Sequence, residues 1–418
     1  MNLKAVLTVF SSALLSAALA SGAKAAAENN CLSCHARLMQ RYSTPTVLYE
    51  KDIHQKAGLI CSDCHGGDPE GKKWHGPRNP AQGFLGAPAP AEIPTFCDRC
   101  HGNVVYMRSH NLSLPVDQLV KYRTSRHGEL LLGQGDIKAA SCVSCHSVHD
   151  IRQVGDPGSS VYPVNLPGTC AGCHADAQYM AGYGIPTDQF AKFAGSVHGV
   201  ALLERGDVGA PACNDCHGNH GAIPPEVDHI SQVCGLCHVN NEKLYRESFH
   251  AEIFKALGSP DCETCHGNHG IRHPDESFLG AGENSVCGNC HEQSRNDAGF
   301  ALGLAMRSIL DSLAASLSAT TGLVEKAEQL GMETSELSLS LRDVRQSLIE
   351  ARTMIHSFDD TEVSKAAQPG VKLALELKAG ALDLLSEHKK RRWWLGGISL
   401  IVLALIAGLY LKLREIEK

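Results

Sequence analysis

A C-x-x-C-H pentad recurs nine times along this chain, beginning at Cys31, Cys61, Cys97, Cys142, Cys170, Cys213, Cys234, Cys262 and Cys287, and the pentads use all 18 cysteines. No thiol is left over for a disulfide or a nucleophile. Each pentad offers two thiols about one helical turn apart and an imidazole directly after the second. That is the pattern of covalent haem c attachment, in which the thiols add to the two haem vinyl groups and the adjoining histidine reaches the iron. Zinc sites built from pairs of C-x-x-C would leave one of nine pairs idle and would not require the histidine. Thioredoxin-like motifs come singly on a strand-helix unit, and a disulfide framework has no use for a fixed His.

The expected cofactors are therefore nine covalently attached haems c. Their thioether ligands are Cys31 and Cys34, Cys61 and Cys64, Cys97 and Cys100, Cys142 and Cys145, Cys170 and Cys173, Cys213 and Cys216, Cys234 and Cys237, Cys262 and Cys265, and Cys287 and Cys290. The proximal iron ligands are His35, His65, His101, His146, His174, His217, His238, His266 and His291. The stretch from Cys31 to His291 allots about 29 residues to each haem, too few to bury a porphyrin under conventional helices or sheet. Only 5% of the chain is aromatic, so the expected fold is mostly irregular and α-helical with the haems themselves as core. A formal charge of -7 gives no chain-wide basic footprint for nucleic acid.

An internal repeat organises this region. Ser125-Arg-His127-Gly precedes the pentad at Cys142, Ser196-Val-His198-Gly precedes that at Cys213, and Ser248-Phe-His250-Ala precedes that at Cys262. After each of these pentads comes a C-H-x-x-H histidine, His149, His220 or His269, and then a second pentad. A looser copy has His54 before Cys61, and Cys31 stands alone in front. Distal iron ligands are accordingly expected at His127 and His149, His198 and His220, and His250 and His269, with His54, His75 and His110 serving the three N-terminal haems. His229 and His273 are left as surface or propionate-contacting residues, and His356 reads as an ordinary helix residue. Three residues span at most about 10 Å, and imidazoles on opposite faces of one iron need their backbones well apart. His149, His220 and His269 should therefore ligate a neighbouring haem. Met39, Met107 and Met180 do not recur with the repeat, so bis-histidine ligation and low potentials are expected throughout.

The ends carry a different signal. Residues 1–27 read as a secretory signal peptide, with Lys4, an apolar run from Ala5 to Leu19 and A-x-A sites at Ala18 to Ala20 or Ala25 to Ala27; an uncleaved anchor is the alternative. Residues 28–295 form the nonahaem domain. Over 296–390 the cysteines stop, and apolar residues take helical spacing: Leu302, Met306, Ile309, Leu313, Leu317, Thr320, Val324 and Ala327, then, past Gly331, Leu337, Leu341, Val344, Leu348, Ala351 and Ile355. An antiparallel helical hairpin or bundle is expected, as a stalk or as a partner-docking element. Trp393 to Leu411, uncharged and about 28 Å long as helix, is expected to be one transmembrane helix, leaving 412–418 as a short cytoplasmic tail. The cluster from Lys389 to Arg392 then lies outside, slightly against the positive-inside rule, but a translocated domain already commits the chain.

The paired pentads, the S-x-H-G segments and the C-H-G-N-H-G of residues 216–221 and 265–270 resemble the multihaem c-type cytochromes, in particular the doubled C-x-x-C-H family grouped with cytochrome c3-like and respiratory electron-transfer cytochromes. The resemblance covers about residues 31 to 291. It implies haem at the nine pentads, bis-His ligation at the matched positions, and a place in anaerobic or metal-linked respiration at a bacterial envelope. Membrane-anchored quinol-dehydrogenase cytochromes of the related group usually have an N-terminal anchor and about four haems, whereas this anchor is C-terminal. No C-x-x-C-K of the multihaem nitrite reductases occurs. The expectation is an electron carrier in the bacterial inner membrane with a periplasmic haem domain. It would relay electrons from a membrane quinol-oxidising subunit to periplasmic or outer-membrane cytochromes or reductases. The alternatives are a reductase or oxidase of a small nitrogen or sulfur oxyanion, and a quinol dehydrogenase.

Overall fold

The computed structural model describes residues 30–71, 75–76, 78–79, 81, 83–223, 231–280, 282–292 and 297–417. The signal-peptide segment 1–27 and His229 lie outside the described residues. The chain divides into two compact units, 1–162 and 163–418. Among the described residues there is no strand, only two isolated bridges, Gly66 with Phe84 and Asn79 with Phe84.

The first unit is a succession of short helices, among them Asn30–His35, Cys61–His65, Ile93–His101 and Cys142–His146, each ending on a pentad histidine. Its buried apolar side chains among the described residues are few, with Met107, Tyr122 and Leu131 the large ones. The part of the second unit that holds pentads is also a succession of short helices, of which Leu166–His174, Cys213–His217 and Asp261–His266 end on a pentad histidine and Ser231–Cys234 on a pentad cysteine.

The second unit also contains three long helices, Ala298–Gln329, Ser335–Met354 and Asp360–Ile416, packed as neighbours through short turns. Gly331, at φ 74°, ends the first of them in the left-handed conformation that glycine adopts without penalty. Here the apolar stripes meet in one continuous core that includes Met306, Leu310, Leu313, Val324, Leu341, Val344, Leu348, Val363 and Leu377. Small residues let the helices close up. A side chain on Gly370 would lie 2.6 Å from the Ser347 Cβ, and buried Thr320 donates across to the Ala374 carbonyl at 3.2 Å.

The third helix runs without interruption from the bundle through residues 393–411, 57 residues or about 85 Å of helix. Its apolar end is exposed, with Trp393 84% and Trp394 75% accessible, and by length and composition it fits a membrane span. The first helix also passes that test of length and composition, but its apolar stripe is spent in the bundle core.

Candidate metal centres

Six of the nine pentads fold in one of two ways, each legible in the flanking residues. The first pentad of a repeat is a single helical turn closed by a residue at positive φ: Gly66 at 67°, Ser147 at 62°, Gly218 at 78° and Gly267 at 71°. The third pentad residue caps some of these turns, as Asp63 accepts from the Ile60 N–H at 2.6 Å and Asp215 from the Ala212 N–H at 2.7 Å. The second pentads at Cys97 and Cys170 instead end longer helices that begin with a buried proline, Pro94 or Pro167, where the missing N–H costs nothing.

The S-x-H-G segment is a compact turn. Ser125 Oγ donates to the Tyr122 carbonyl at 2.6 Å and accepts from the Gly128 N–H at 2.9 Å; Ser196 does the same with Phe193 and Gly199 at 2.6 and 3.0 Å. Both serines are buried, and the turn sits so close to the preceding helix that a Cβ on Gly128 or Gly199 would lie 1.9 Å from a carbonyl oxygen. In the third copy Ala251 replaces the glycine. There the histidine lies in a regular helix, Phe249–Leu257, although Ser248 still donates to the Tyr245 carbonyl at 2.6 Å. Successive repeats are also stitched together. Ile53, just before His54, donates to the Ile151 carbonyl at 2.7 Å, and Val197, just before His198, donates to the Ile271 carbonyl at 2.9 Å.

These frames bring histidines together in pairs. His35 faces His75, His54 faces His101, and His65 faces His149, each at 6.0 Å between ring centres. In the second unit His198 faces His238 at 6.1 Å, His217 faces His269 at 5.9 Å, His250 faces His291 at 6.2 Å and His266 faces His356 at 6.1 Å. The angle between ring planes runs from 6° for His35 and His75 to 83° for His54 and His101, while the separation hardly changes. Rings in van der Waals contact would change separation with angle. Rings bonded to a common atom would not: with bonds of about 2 Å and about 1 Å from nitrogen to ring centre, the centres lie about 6 Å apart. The residues present therefore fit an iron held between two imidazoles. Among the described residues no three His, Cys, Asp or Glu side chains form a group that could hold a metal ion.

The protonation states suit the same role. Burial, and then the facing ring, holds His149, His198, His250 and His269 below the ordinary histidine value, and pushes His266 down to about 4. Neutral imidazole is the metal-ligating form. Its outer nitrogen is oriented by hydrogen bonds: His65 Nδ1 donates to the Gly86 carbonyl at 2.9 Å, His217 Nδ1 to the Ile223 carbonyl at 3.1 Å, and His54 Nδ1 to Asp52 at 2.8 Å. His291 Nδ1 lies 2.9 Å from Asp297, which also caps the first bundle helix through the Gly299 and Phe300 N–H groups.

Neighbouring pentads in sequence are neighbours in space within each unit. The thiols hydrogen-bond in pairs, Cys97 with Cys142, Cys170 with Cys213 and Cys234 with Cys262. Burial and then Cys61 raise the Cys31 thiol; burial and then Cys100 raise Cys64; burial and then Cys234 raise Cys216; and Cys265 goes to about 11 through burial and then Cys287.

Two histidines lie elsewhere than the sequence reading expected. His110 is exposed on the helix Val104–His110 with its ring against Tyr106, 4.8 Å away, and faces no pentad histidine. The place reserved for it among the three N-terminal sites is taken by His149, which reaches back to the preceding repeat. His356, read as an ordinary helix residue, instead faces His266 from the turn between the second and third bundle helices. His273 is exposed. His127 lies in the same serine-capped turn as His198, and His220 follows its pentad as His269 does. Phe358 was not anticipated at all; it stacks on His250 at 3.8 Å.

Two segments of the chain match family models. Residues 53–175 match the model described as cytochrome c3, and residues 255–296 match the doubled CXXCH motif. No curated protein and no solved structure matches the chain.

Proposed function

We propose that the chain, matched in two segments by cytochrome c3 and doubled CXXCH models, is a multihaem c-type cytochrome acting as an envelope electron carrier, with nine covalent haems c and no substrate chemistry of its own. Haem iron held this way stores and passes single electrons. The protein's part is to hold each iron between two neutral imidazoles and keep successive cofactors close. The observation that carries the reading is the set of seven facing histidine pairs at 5.9–6.2 Å, each of which would close both axial positions of the iron it holds to nitrite, hydroxylamine or a similar oxyanion. His54, His75, His127, His149, His198, His220, His250 and His269 serve as distal ligands. The scarcity of buried apolar side chains around the pentads supports the haems as the core of that region.

The exposed apolar end of the last helix supports a single C-terminal span, with the cytochrome body on the periplasmic face of the bacterial inner membrane, the side on which haem c is attached. Donor and acceptor would then be a membrane quinol-oxidising subunit and periplasmic or outer-membrane cytochromes or reductases. The test is an intact mass with nine haem increments, joined to a redox titration of the detergent-solubilised protein. Nine low-spin haems of low potential are expected. A high-spin haem that binds cyanide or nitrite, or turnover of nitrite, hydroxylamine or tetrathionate, would overturn the carrier reading.

A further inference from the structure

The repeat has a bookkeeping rule that its last copy breaks. Where a first pentad and its facing ring share a unit, the facing ring comes from the C-H-x-x-H of the following repeat: His149 faces His65, and His269 faces His217. The pentad at Cys262 is the first of the last repeat, so no later C-H-x-x-H exists to face His266. That place is filled by His356, 90 residues downstream of His266 and outside the pentad region.

The surroundings of His356 are those of a ligand. The ring is half-buried at the turn Ile355–Ser357, and its Nδ1 lies 3.0 Å from the Thr353 carbonyl. A carbonyl can only accept, so Nδ1 carries the proton and Nε2 keeps its lone pair. His266 also stacks with Phe278 at 5.8 Å. The turn is held to the pentad region at two further points. Arg352 pairs with Glu276 at 2.5 Å, and Phe358 stacks on His250 while occupying a left-handed conformation, φ 52°, that a non-glycine residue adopts at a cost.

We infer that His356 is the second axial ligand of the haem carried by Cys262, Cys265 and His266, so that the helical bundle is bonded to the cytochrome through an iron. This rests on the reading of the pentads as bis-histidine haem sites. It changes what the bundle is: a structural part of the eighth redox centre, continuous through the third helix with the apolar segment at residues 393–411.

The experiment compares wild type, His356→Ala, His356→Met and His273→Ala as full-length holoproteins in detergent, by ferric electron paramagnetic resonance, carbon monoxide titration of the reduced form, and redox titration. With His356→Ala, one haem in nine is expected to become high-spin and to bind one equivalent of carbon monoxide. With His356→Met, all nine should stay low-spin while one midpoint moves upward, since thioether ligation raises the potential. His273→Ala should match wild type. If wild type has nine low-spin haems and both His356 variants are indistinguishable from it, this inference fails and the carrier reading stands. If wild type itself has fewer than nine haems or an open one, the carrier reading fails first. Should the alanine variant not accumulate, the methionine variant decides by its midpoint.

Discussion

The glycine after the distal histidine in the S-x-H-G turn gives a stringent test of how sequence sets the metal site. In Gly199→Ala the new Cβ would fall 1.9 Å from the Phe193 oxygen and 2.8 Å from the Ala194 Cα. Both are backbone atoms, so no side chain can rotate away. Reaching even a tight contact requires the turn to retreat by about 1 Å, against attractive contacts that are optimal at 3.5–4.0 Å. Ser196 resists the retreat, because it is fastened to both sides of the turn, to Phe193 at 2.6 Å and Gly199 at 3.0 Å. Overpacking of this kind costs about 1–3 kcal/mol, and a backbone clash belongs at the upper end. The displaced residue adjoins His198, whose ring sits 6.1 Å from His238. A metal bond of about 2 Å does not stretch by half its length. Gly199→Ala should therefore convert one haem of nine to high-spin and lower the melting temperature, read by paramagnetic resonance and thermal unfolding of the holoprotein. Ala251→Gly is the control, since that copy already holds a Cβ in the regular helix Phe249–Leu257. It should cost at most about 1 kcal/mol in helix propensity and leave every haem low-spin. An unchanged spin state and melting temperature in Gly199→Ala would refute the claim that the turn fixes the ligand.

Ring planes near parallel, as in His35 with His75 at 6° and His217 with His269 at 12°, act on one iron d orbital of a pair and split it; planes at 83° in His54 with His101 act on both alike. The ferric spectrum should thus contain rhombic low-spin signals beside strongly axial ones with a large g value, and Asp52→Asn, by loosening the His54 ring, should shift only the latter group. Leu313, fully buried in the bundle, should cost about 2–5 kcal/mol when cut to alanine, measured by denaturant unfolding. Arg352→Ala breaks a partly exposed ion pair with Glu276 and should cost only about 1 kcal/mol, with a double-mutant cycle against Glu276→Ala isolating the coupling. A chain ending at His388 keeps the bundle core through Ala381 and should remain in solution without detergent with an unaltered haem spectrum.

What could be read from the sequence divides along a physical line. The pentads were legible because thioether chemistry fixes three residue types at one spacing, and the bundle because burial imposes a helical period: Met306, Leu313, Val324, Leu341, Val344 and Leu348 were picked by spacing and lie in its core. The distal histidines were harder, since an axial bond joins residues with no constraint on their separation along the chain. Where the local frame repeats, as with the buried serine before His198, the position announced itself. Where it does not, proximity in sequence misled. His110 looked suitable because it follows a pentad closely, yet His149 reaches back to His65 from the next repeat. His356 was passed over because its neighbours continue an apolar helical stripe. The signal that could have found it was arithmetic: if each C-H-x-x-H histidine serves the preceding repeat, the last repeat is one ligand short. The supplier must then lie downstream, where only His356 and His388 remain. His388 lies beyond the bundle core on the third helix, whereas His356 sits at the turn that ends the second, so the choice between them is made by where the bundle folds back on the pentad region.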